Sequence, residues 1–589
     1  GWFGFTPDFL QFFNTSRWLL FFMSIAAYVD CTTFAFIPGI VSTLEKRFEM
    51  SSSQSGFIIS SSQIFALITV PIITHIGGKA HKGKLIGIGV LMFGIGAFLF
   101  ASPHYWTVRP ESRSGTNLSN YLYVFVVAQF FLCLCGGPMF TVGVAYLDEN
   151  VKKKVSGLYV AVLYTVACVG PTIGFLVIGQ LLSLYVEAGL TPWDPRWVGN
   201  WWLGFPVLGV LAILVAIPLL AFPKKLPEEE EELPTKADLI KAEEDEGGVC
   251  SKGRTVEGLK DLLRSIMDLI KSYSFSLLTL GVSIDALAYM GLFAFAPKVC
   301  ELLFGLSVMS SSTYFGLSMV PGAALGSLLG GFISKKIGVN SKRLLLYVFV
   351  SFVVSSLPAF VFLMHCPEPH KAYVSIDNVN SLLTLPPSCF SSMACSSSCA
   401  CADSLHDPVC GENGVQYQSP CHAGCTALNY TTMIYSDCSC IPAGGMQSNF
   451  TTDVTSFAAQ GACARKCESY VLPVFFVSLF VMGFIGSTAG PPFTAVTLRL
   501  VPPKLRSFGL GMQWTLMRIL GMIPGPIVYG RAMDNACLQW QTSCGQRGAC
   551  LVYDSRKVGL FVFGLGFGLR TVGVALCFLS YLVCKPTPE

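Results

Sequence analysis

Charged side chains stand inside several stretches of apolar residues, where an ion costs about 2.5–3.5 kcal/mol unless it is paired or reaches water. Arg518 carries a permanent guanidinium charge, whose planar fork suits two parallel hydrogen bonds to a carboxylate or sulfate. Its alternative role is that of a structural partner for Asp30 or Asp285. Lys298 either binds an anion as a point charge or extends its ammonium to a membrane interface. We expect Arg518 and Lys298 to bind an anion, whereas Asp30 either pairs with Arg518 or meets the ligand.

Asp285, Tyr289 and Phe293 recur at four-residue intervals, so a helix presents them on one face as a carboxylate followed by two aromatic rings. This face either lines a cavity for an amphipathic ligand or forms an aromatic stripe toward lipid. An unpaired Asp285 would not tolerate lipid, and we therefore expect an inward orientation. His104 is either an ordinary interfacial histidine or a pH sensor, since an unperturbed imidazole titrates at about pH 6.5.

The elements that position these residues are predicted to be membrane helices. Mean hydropathy is +0.58 and 13% of the residues are charged, compared with about 25% in typical soluble domains. A helix needs about 20 apolar residues to cross the hydrocarbon core of a bilayer. Twelve stretches meet this requirement, near 18–41, 55–76, 85–102, 120–147, 156–186, 200–222, 274–300, 310–333, 343–365, 470–498, 507–532 and 557–583. The sequence thus predicts an all-α membrane protein with twelve spans.

Loop charges predict how the spans are oriented, because cytoplasmic loops collect lysine and arginine. Basic residues concentrate in the loops after the second, fourth, eighth and tenth spans, and these loops fall on one side of the membrane. The opposite side carries most of the cysteines and the glycosylation sequons at Asn117, Asn429 and Asn449. We therefore expect both termini to be cytoplasmic and the cysteine-rich loop to be extracellular.

The spans form two groups of six, separated by an acidic segment that includes Glu228 to Glu232. This segment reads as a solvated linker, with a regulatory role as the alternative, and an amphipathic helix is predicted after it. The predicted organisation is a first half, the linker, spans seven to nine, an extracellular domain and spans ten to twelve, at 1–222, 223–272, 273–365, 366–469 and 470–589. Two six-span halves with matched basic turns resemble the major facilitator superfamily, whose halves rock around a midplane site.

Cysteine-rich sequence in the extracellular loop between spans nine and ten indicates a domain held by disulfides. Its cysteines are Cys366, Cys389, Cys395, Cys399, Cys401, Cys410, Cys421, Cys425, Cys438, Cys440, Cys463 and Cys467, and Cys537, Cys544 and Cys550 follow in the last extracellular loop. The spacing of Cys410, Cys421 and Cys425 resembles a Kazal module. Zinc binding is disfavoured because paired Cys-x-x-Cys units are missing from the sequence. The external total is odd, so either one thiol is free or one boundary is misplaced.

A linear motif lies at the outer end of the sixth span and is rich in aromatic residues, which taken alone would only anchor a helix end at the membrane interface. The motif contains Asp194, Arg196, Trp197, Gly199, Trp201, Trp202 and Gly204. This string closely resembles the signature of the organic anion transporting polypeptide family, whose members also carry a Kazal-like insert between spans nine and ten. The segments around Arg518-Ile519-Leu520-Gly521 and Cys537-Leu538-Gln539-Trp540 look most like the branch associated with thyroid hormone and steroid conjugates.

The resemblance implies a plasma-membrane transporter rather than an enzyme. It would carry large amphipathic organic anions such as steroid conjugates, thyroid hormones, bile salts and prostaglandins, independently of sodium and in exchange for a counter-anion such as bicarbonate. No cofactor, metal or nucleic-acid partner is predicted, and no Walker-type phosphate loop is present in the sequence. The alternative is a membrane receptor or scaffold that presents the Kazal-like module without transporting anything.

Individual positions match or depart from the family pattern. Arg518 and Lys298 match basic positions that the family uses for anions, and His104 matches a histidine linked to pH dependence and bicarbonate exchange. Gln63 stands where members often have a carboxylate, which puts ion coupling through that position in doubt. Asn200 and Leu132 replace a common alanine and an occasional arginine, and Asp30 is a charge that the family pattern does not anticipate.

Overall fold

The computed structural model describes most of the helical part of the chain. The described residues are 12–77, 80–107, 118–151, 153–184, 199–224, 226, 264, 266–338, 340–369, 408–429, 434–441, 456–461, 463, 465, 467–502, 505–543 and 546–584. The acidic part of the linker and most of the predicted amphipathic helix lie outside these residues, as do Asn117 and Asn449. The sequon asparagine Asn429 is exposed on a strand of the cysteine-rich region.

Fifteen α-helices are labelled here in chain order. The first half of the chain contains α1 Ser16–Phe48, α2 Ser52–Gly77, α3 Lys82–Thr107, α4 Tyr121–Pro138, α5 Val144–Glu149, α6 Lys153–Leu182 and α7 Gly204–Ala221. The second half contains α8 Tyr273–Phe304, α9 Val308–Ile337, α10 Ser341–Ser356, α11 Val471–Thr488, α12 Gly490–Leu500, α13 Arg506–Met517, α14 Pro524–Asn535 and α15 Ser555–Val583. Turns of 3-10 helix occupy Leu118–Asn120 and Leu357–Leu363. The buried apolar core runs continuously from the first half into the second.

Eleven of the described helical segments are long and apolar enough to cross a membrane. They correspond to eleven of the twelve predicted spans. The remaining prediction, 507–532, is helical as α13 and α14, but this segment is not among the eleven because polar and charged residues such as Gln513, Arg518 and Arg531 lower its hydropathy. Its role as a twelfth span therefore stays a prediction.

Two π-helical turns interrupt the helices near the middle of the protein. Met139–Gly143 links α4 to α5, and Arg518–Met522 links α13 to α14. A π turn adds a residue to the helical repeat, so it rotates the side chains that follow and is often found at functional sites. Arg518 is the first residue of its π turn.

The halves meet most extensively along two pairs of helices, α2 with α14 and α6 with α9, and α1 also contacts α8. Glycines let the first pair approach closely. A Cβ at Gly56 would lie 2.4 Å from the carbonyl oxygen of Pro526, and a Cβ at Gly530 would lie 2.3 Å from that of Ser52. Since α2 and α9 are the second spans of their halves and α6 and α13–α14 occupy the fifth position, the two contacts are equivalent in a two-half arrangement.

Disulfide bonds confirm the prediction of an oxidised, cysteine-stapled region. The described pairs are Cys366–Cys467, Cys410–Cys463, Cys425–Cys438 and Cys537–Cys550, and Cys421 and Cys440 are also disulfide-bonded. The predicted disulfide cysteines Cys389, Cys395, Cys399, Cys401 and Cys544 lie outside the described residues.

Two small sheets accompany these disulfide bonds. The first has the strand order β2-β1-β5-β4-β3, formed by β1 Val409–Gly411, β2 Gln416–Tyr417, β3 Ala427–Asn429, β4 Ile434–Ser436 and β5 Ala458–Gln460. The second is the antiparallel hairpin of β6 Cys537–Ser543 and β7 Gln546–Tyr553. We call the side of the helical bundle that carries the disulfides Cys366–Cys467 and Cys537–Cys550 the disulfide side.

Candidate functional site

A cavity of about 360 Å³ opens between α1, α2 and α4 of the first half and the π turn of the second half. Its size falls within the range of about 300–1,000 Å³ that is common for small-molecule sites. The lining is mostly apolar or neutral, and Asp30 and Arg518 are its two charged residues. The lining residues are Asp30, Cys31, Thr33, Phe34, Ile37, Pro38, Ile59, Ser62, Gln63, Ala66, Val70, Phe93, Gln129, Leu132, Cys133, Gly136, Gly137, Phe140, Thr141 and Arg518.

Arg518 reaches this cavity from the second half. Its π turn is held against α8 by Gly521, where a Cβ would lie 2.4 Å from the carbonyl oxygen of Ser283. The side chain is half-buried, and its Nε atom is buried without a hydrogen-bond partner among the described residues. A guanidinium in this condition retains the capacity to bind a carboxylate or a sulfate.

Asp30 lies on another wall of the cavity, in α1, and is also half-buried. Its Oδ2 atom packs against α4, where a Cβ at Gly136 would lie only 2.8 Å away. In the described part of the chain, Asp30 makes neither an ion pair nor a hydrogen bond, and the sequence-based alternative that it pairs with Arg518 does not hold in this conformation. Both charges therefore face the same space without neutralising each other.

Asp285 has a partner that the sequence analysis did not identify. Nε of Arg570 in α15 lies 3.1 Å from Oδ1 of Asp285 in α8. Arg570 stands in the middle of an apolar span, so the rule that identified Arg518 would have identified it as well. Asp285 points toward the interior of the bundle, as expected, and its carboxylate pairs with a neighbouring helix of the same half. Asp285 is therefore not the partner of Arg518 in this conformation.

Tyr289 and Phe293 belong to an aromatic surface between the halves. Phe293 is buried and its ring stacks on that of Phe34 at 5.3 Å between centroids, while Tyr289 stacks on Phe293 at 6.2 Å. Neither of the two residues lines the cavity, but Phe34 does. The aromatic surface thus continues from the cavity wall onto α8.

Lys298 is paired within the protein in this conformation. It is only 3% exposed, and its ammonium pairs with the Glu45 carboxylate of the first half. It also donates hydrogen bonds to the Ser52 hydroxyl at 2.7 Å and to the Tyr553 hydroxyl at 2.8 Å. Burial raises the pKa of the Tyr553 phenol, which keeps the hydroxyl neutral beside the ammonium. In this conformation Lys298 ties the halves together and lies outside the cavity.

Further polar contacts between the halves lie in the same region. Asp534 at the end of α14 accepts hydrogen bonds from the backbone N–H groups of Ser52 and Ser53, both at 2.9 Å, and so caps α2 from the opposite half. Nearby, the Ser42 hydroxyl donates to Glu301 at 3.2 Å. These contacts occupy the ends of α1, α2, α8 and α14 on the disulfide side. The cavity is therefore covered on that side.

The described residues of the signature motif pack against helices of the first half, on the disulfide side. Trp201 is buried against Phe48, and Trp202 stacks on His104 with ring centroids 4.4 Å apart. A Cβ at Gly199 would lie 2.4 Å from the carbonyl oxygen of Leu182, and one at Gly204 would lie 2.3 Å from the ring of Phe36. Asp194, Arg196 and Trp197 lie outside the described residues. His104 is buried in this aromatic cluster, away from the cavity, and its predicted pH role stays untested.

Comparison with known proteins decides the family. Residues 18–558 match the model of the Organic Anion Transporter Polypeptide (OATP) family. The chain belongs to this family. It is 36% identical to "Solute carrier organic anion transporter family member 4A1" of Mus musculus, over 99% of this chain and 84% of the relative. It is 32% identical to member 4C1 of Homo sapiens, over 100% of this chain and 84% of the relative, and 30% identical to human member 1B3, over 92% and 85%.

Solved structures confirm the fold class that the family implies for this OATP chain. A bacterial homologue of the human lysosomal transporter Spinster, crystallised in an inward-facing and occupied conformation, matches with a TM-score of 0.58 at 13% identity, over 96% of this chain and 97% of the other. The inward-open xylose transporter XylE from E. coli matches with a TM-score of 0.55 at 12% identity, over 97% of both chains. At these identities the likeness establishes the fold alone. The chain is a multi-pass membrane transporter and not an enzyme.

Proposed function

We propose that this OATP protein carries large amphipathic organic anions across the plasma membrane by alternating access, independently of sodium and in exchange for a counter-anion such as bicarbonate. Steroid conjugates, thyroid hormones, bile salts and prostaglandins are the expected substrate types. The observation that carries the proposal is Arg518, whose guanidinium faces an apolar cavity of about 360 Å³ and whose Nε lacks a partner in the described residues. The anionic group of the substrate would bind there, while its apolar body would pack on Phe34, Ile37 and Phe93.

The contacts between the halves support an inward-facing state. They lie on the disulfide side, which the loop charges and the sequons predict to be outside the cell. With the contacts around Glu45 and Asp534 formed, the cavity is closed to the outside and accessible from the cytoplasm. Transport then requires these contacts to open, and a substrate shifts the population only by its difference in affinity for the two states.

Separation of the halves would also change the role of Lys298. Without the Glu45 carboxylate beside it, the Lys298 ammonium would face the open entrance from the outside and could attract an incoming anion. Its proposed role in substrate binding therefore belongs to the outward-open state. The segment of α13 and α14 acts in this scheme as the eleventh span in chain order and completes the set of twelve, with Gln513 and Arg518 facing the interior of the bundle.

Uptake measurements on Arg518 variants test the proposal. We would measure saturable uptake of radiolabelled oestrone sulfate into cells, with surface expression matched by biotinylation. A hydrogen bond to a charged group contributes about 1.5–3 kcal/mol, and each 1.4 kcal/mol is about tenfold. We therefore expect Arg518→Ala to raise KM at least about tenfold and Arg518→Lys to lose less.

The exposed Arg531 of α14 provides a matched control, and Arg531→Ala should leave uptake near the wild-type level. Unchanged uptake in Arg518→Ala would confine Arg518 to a structural role. Absence of uptake by the wild-type chain would move the balance toward the receptor or scaffold.

A further inference from the structure

The cavity contains one basic side chain and one carboxyl side chain that do not bind each other. Asp30 and Arg518 both line it, yet no nitrogen of Arg518 lies within 4.0 Å of an oxygen of Asp30. The other lining residues are neutral. A site built only for anions would gain nothing from a carboxylate, because the like charge opposes the ligand. The unpaired Asp30 therefore favours a ligand that carries a positively charged group.

The surroundings of Asp30 keep the carboxylate free for such a ligand. It makes no ion pair or hydrogen bond with the described residues. Gly136 leaves room for it against α4, since a Cβ there would lie 2.8 Å from Oδ2. The carboxyl group also keeps access to the cavity, because Asp30 lines the cavity and is only half-buried. A buried carboxylate without a partner costs several kcal/mol, and an ammonium would remove this cost.

Three other acidic residues in the described part of the membrane region already have partners. Asp285 lies beside Arg570, Glu45 pairs with Lys298, and Glu301 accepts a hydrogen bond from Ser42. Asp30 differs from these three residues because it faces the cavity instead of a neighbouring helix.

We infer that Asp30 binds the ammonium group of zwitterionic substrates while Arg518 binds their carboxylate. The inference rests on the proposed function and makes it more specific. The preferred substrates would be amphipathic molecules that carry an ammonium and a carboxylate or sulfonate on one apolar skeleton. The ammonium and the acidic group of the substrate would form ion pairs with both half-buried side chains at once, whereas a simple anion would pair with Arg518 alone.

The test compares two probes that differ only in the ammonium. Thyroxine carries an ammonium and a carboxylate, and tetraiodothyropropionate has the same rings and carboxylate with hydrogen in place of the ammonium. KM and the maximal rate would be measured for both in cells expressing the wild-type chain, Asp30→Asn, Asp30→Glu and Arg518→Ala, with surface amounts matched.

We expect Asp30→Asn to raise KM for thyroxine about tenfold or more, because one hydrogen-bonded charge pair is lost. The same variant should lower KM for tetraiodothyropropionate, because a repelling carboxylate has been removed. Asp30→Glu, which keeps the charge, should retain the preference for thyroxine. Arg518→Ala should weaken both probes.

Other results would overturn the inference. If Asp30→Asn weakens both probes equally and resembles Arg518→Ala, Asp30 positions Arg518 or stabilises the fold, while the proposed anion transport stands. If the variant does not reach the surface and Asp30→Glu loses the preference for thyroxine, the ammonium site is wrong as well. If the wild-type chain carries neither this pair nor oestrone sulfate, the proposed function itself fails.

Discussion

Loss of the Glu45 carboxylate should shift the protein toward an outward-open state. Glu45 and Lys298 join the two halves, and their side chains are only 5% and 4% exposed. Removal of one partner from a buried ion pair costs about 3–5 kcal/mol. In Glu45→Gln the Lys298 ammonium keeps its hydrogen bonds to the Ser52 hydroxyl at 2.7 Å and the Tyr553 hydroxyl at 2.8 Å, so we expect a cost at the low end of this range. The cost falls on the closed state alone, because Lys298 reaches water when the halves separate. A penalty of about 3 kcal/mol corresponds to a shift of about a hundredfold.

Two free cysteines of the cavity report this shift. Cys31 and Cys133 line the cavity, and a membrane-impermeant maleimide in the medium would reach them only when the disulfide side opens. We expect external labelling of Glu45→Gln to be at least tenfold faster than labelling of the wild type. The increase should disappear when both cysteines are replaced by alanine.

Two further variants make the result decisive. The exchange Glu45→Lys with Lys298→Glu restores an ion pair and should bring the labelling rate back toward that of the wild type. Glu149→Gln removes an exposed pair with Lys82 within the first half, which contributes about 0–1 kcal/mol, and should have no effect. Equal labelling of Glu45→Gln and the wild type would refute the idea that this pair holds the halves closed.

Two other substitutions test the packing. Gly56→Ala places a Cβ 2.4 Å from the Pro526 backbone, and we expect external cysteine labelling to rise because overpacking costs about 1–3 kcal/mol. Gly331→Ala is the control, because a Cβ at Gly331 would meet nothing within 4 Å, and its labelling should match that of the wild type. Equal labelling of both variants would contradict the close contact between Gly56 and Pro526. Arg570→Gln should lower the melting temperature in detergent, and adding Asp285→Asn should recover part of it. The loss of stability in Arg570→Gln should be smaller than that from breaking a fully buried pair, which is about 3–5 kcal/mol, because the two side chains are 16% and 17% exposed. A double variant no more stable than Arg570→Gln would argue against the pairing.

The sequence by itself determined the family and the coarse class of fold, a helical membrane transporter, and it singled out candidate residues for a binding site. A charge in an apolar span is costly in any arrangement of helices, so Arg518, Asp30 and Asp285 could be singled out without a structure. Dense cysteines in one loop likewise indicate disulfides whatever their pairing. The same reasoning applies to Arg570, and the sequence analysis overlooked it although the signal was present.

The tertiary structure decided which charge meets which. Lys298 pairs with Glu45, 253 residues away, and Asp285 with Arg570 instead of Arg518. Such pairings depend on the rotation and depth of each helix, and a π turn at Arg518 changes both locally. Helical periodicity gives the face that a residue shares with its neighbours in sequence, but packing sets which helix lies opposite. For this reason only the folded protein separates Asp30 and Arg518, which face the cavity, from Lys298 and Asp285, which hold helices together in this conformation.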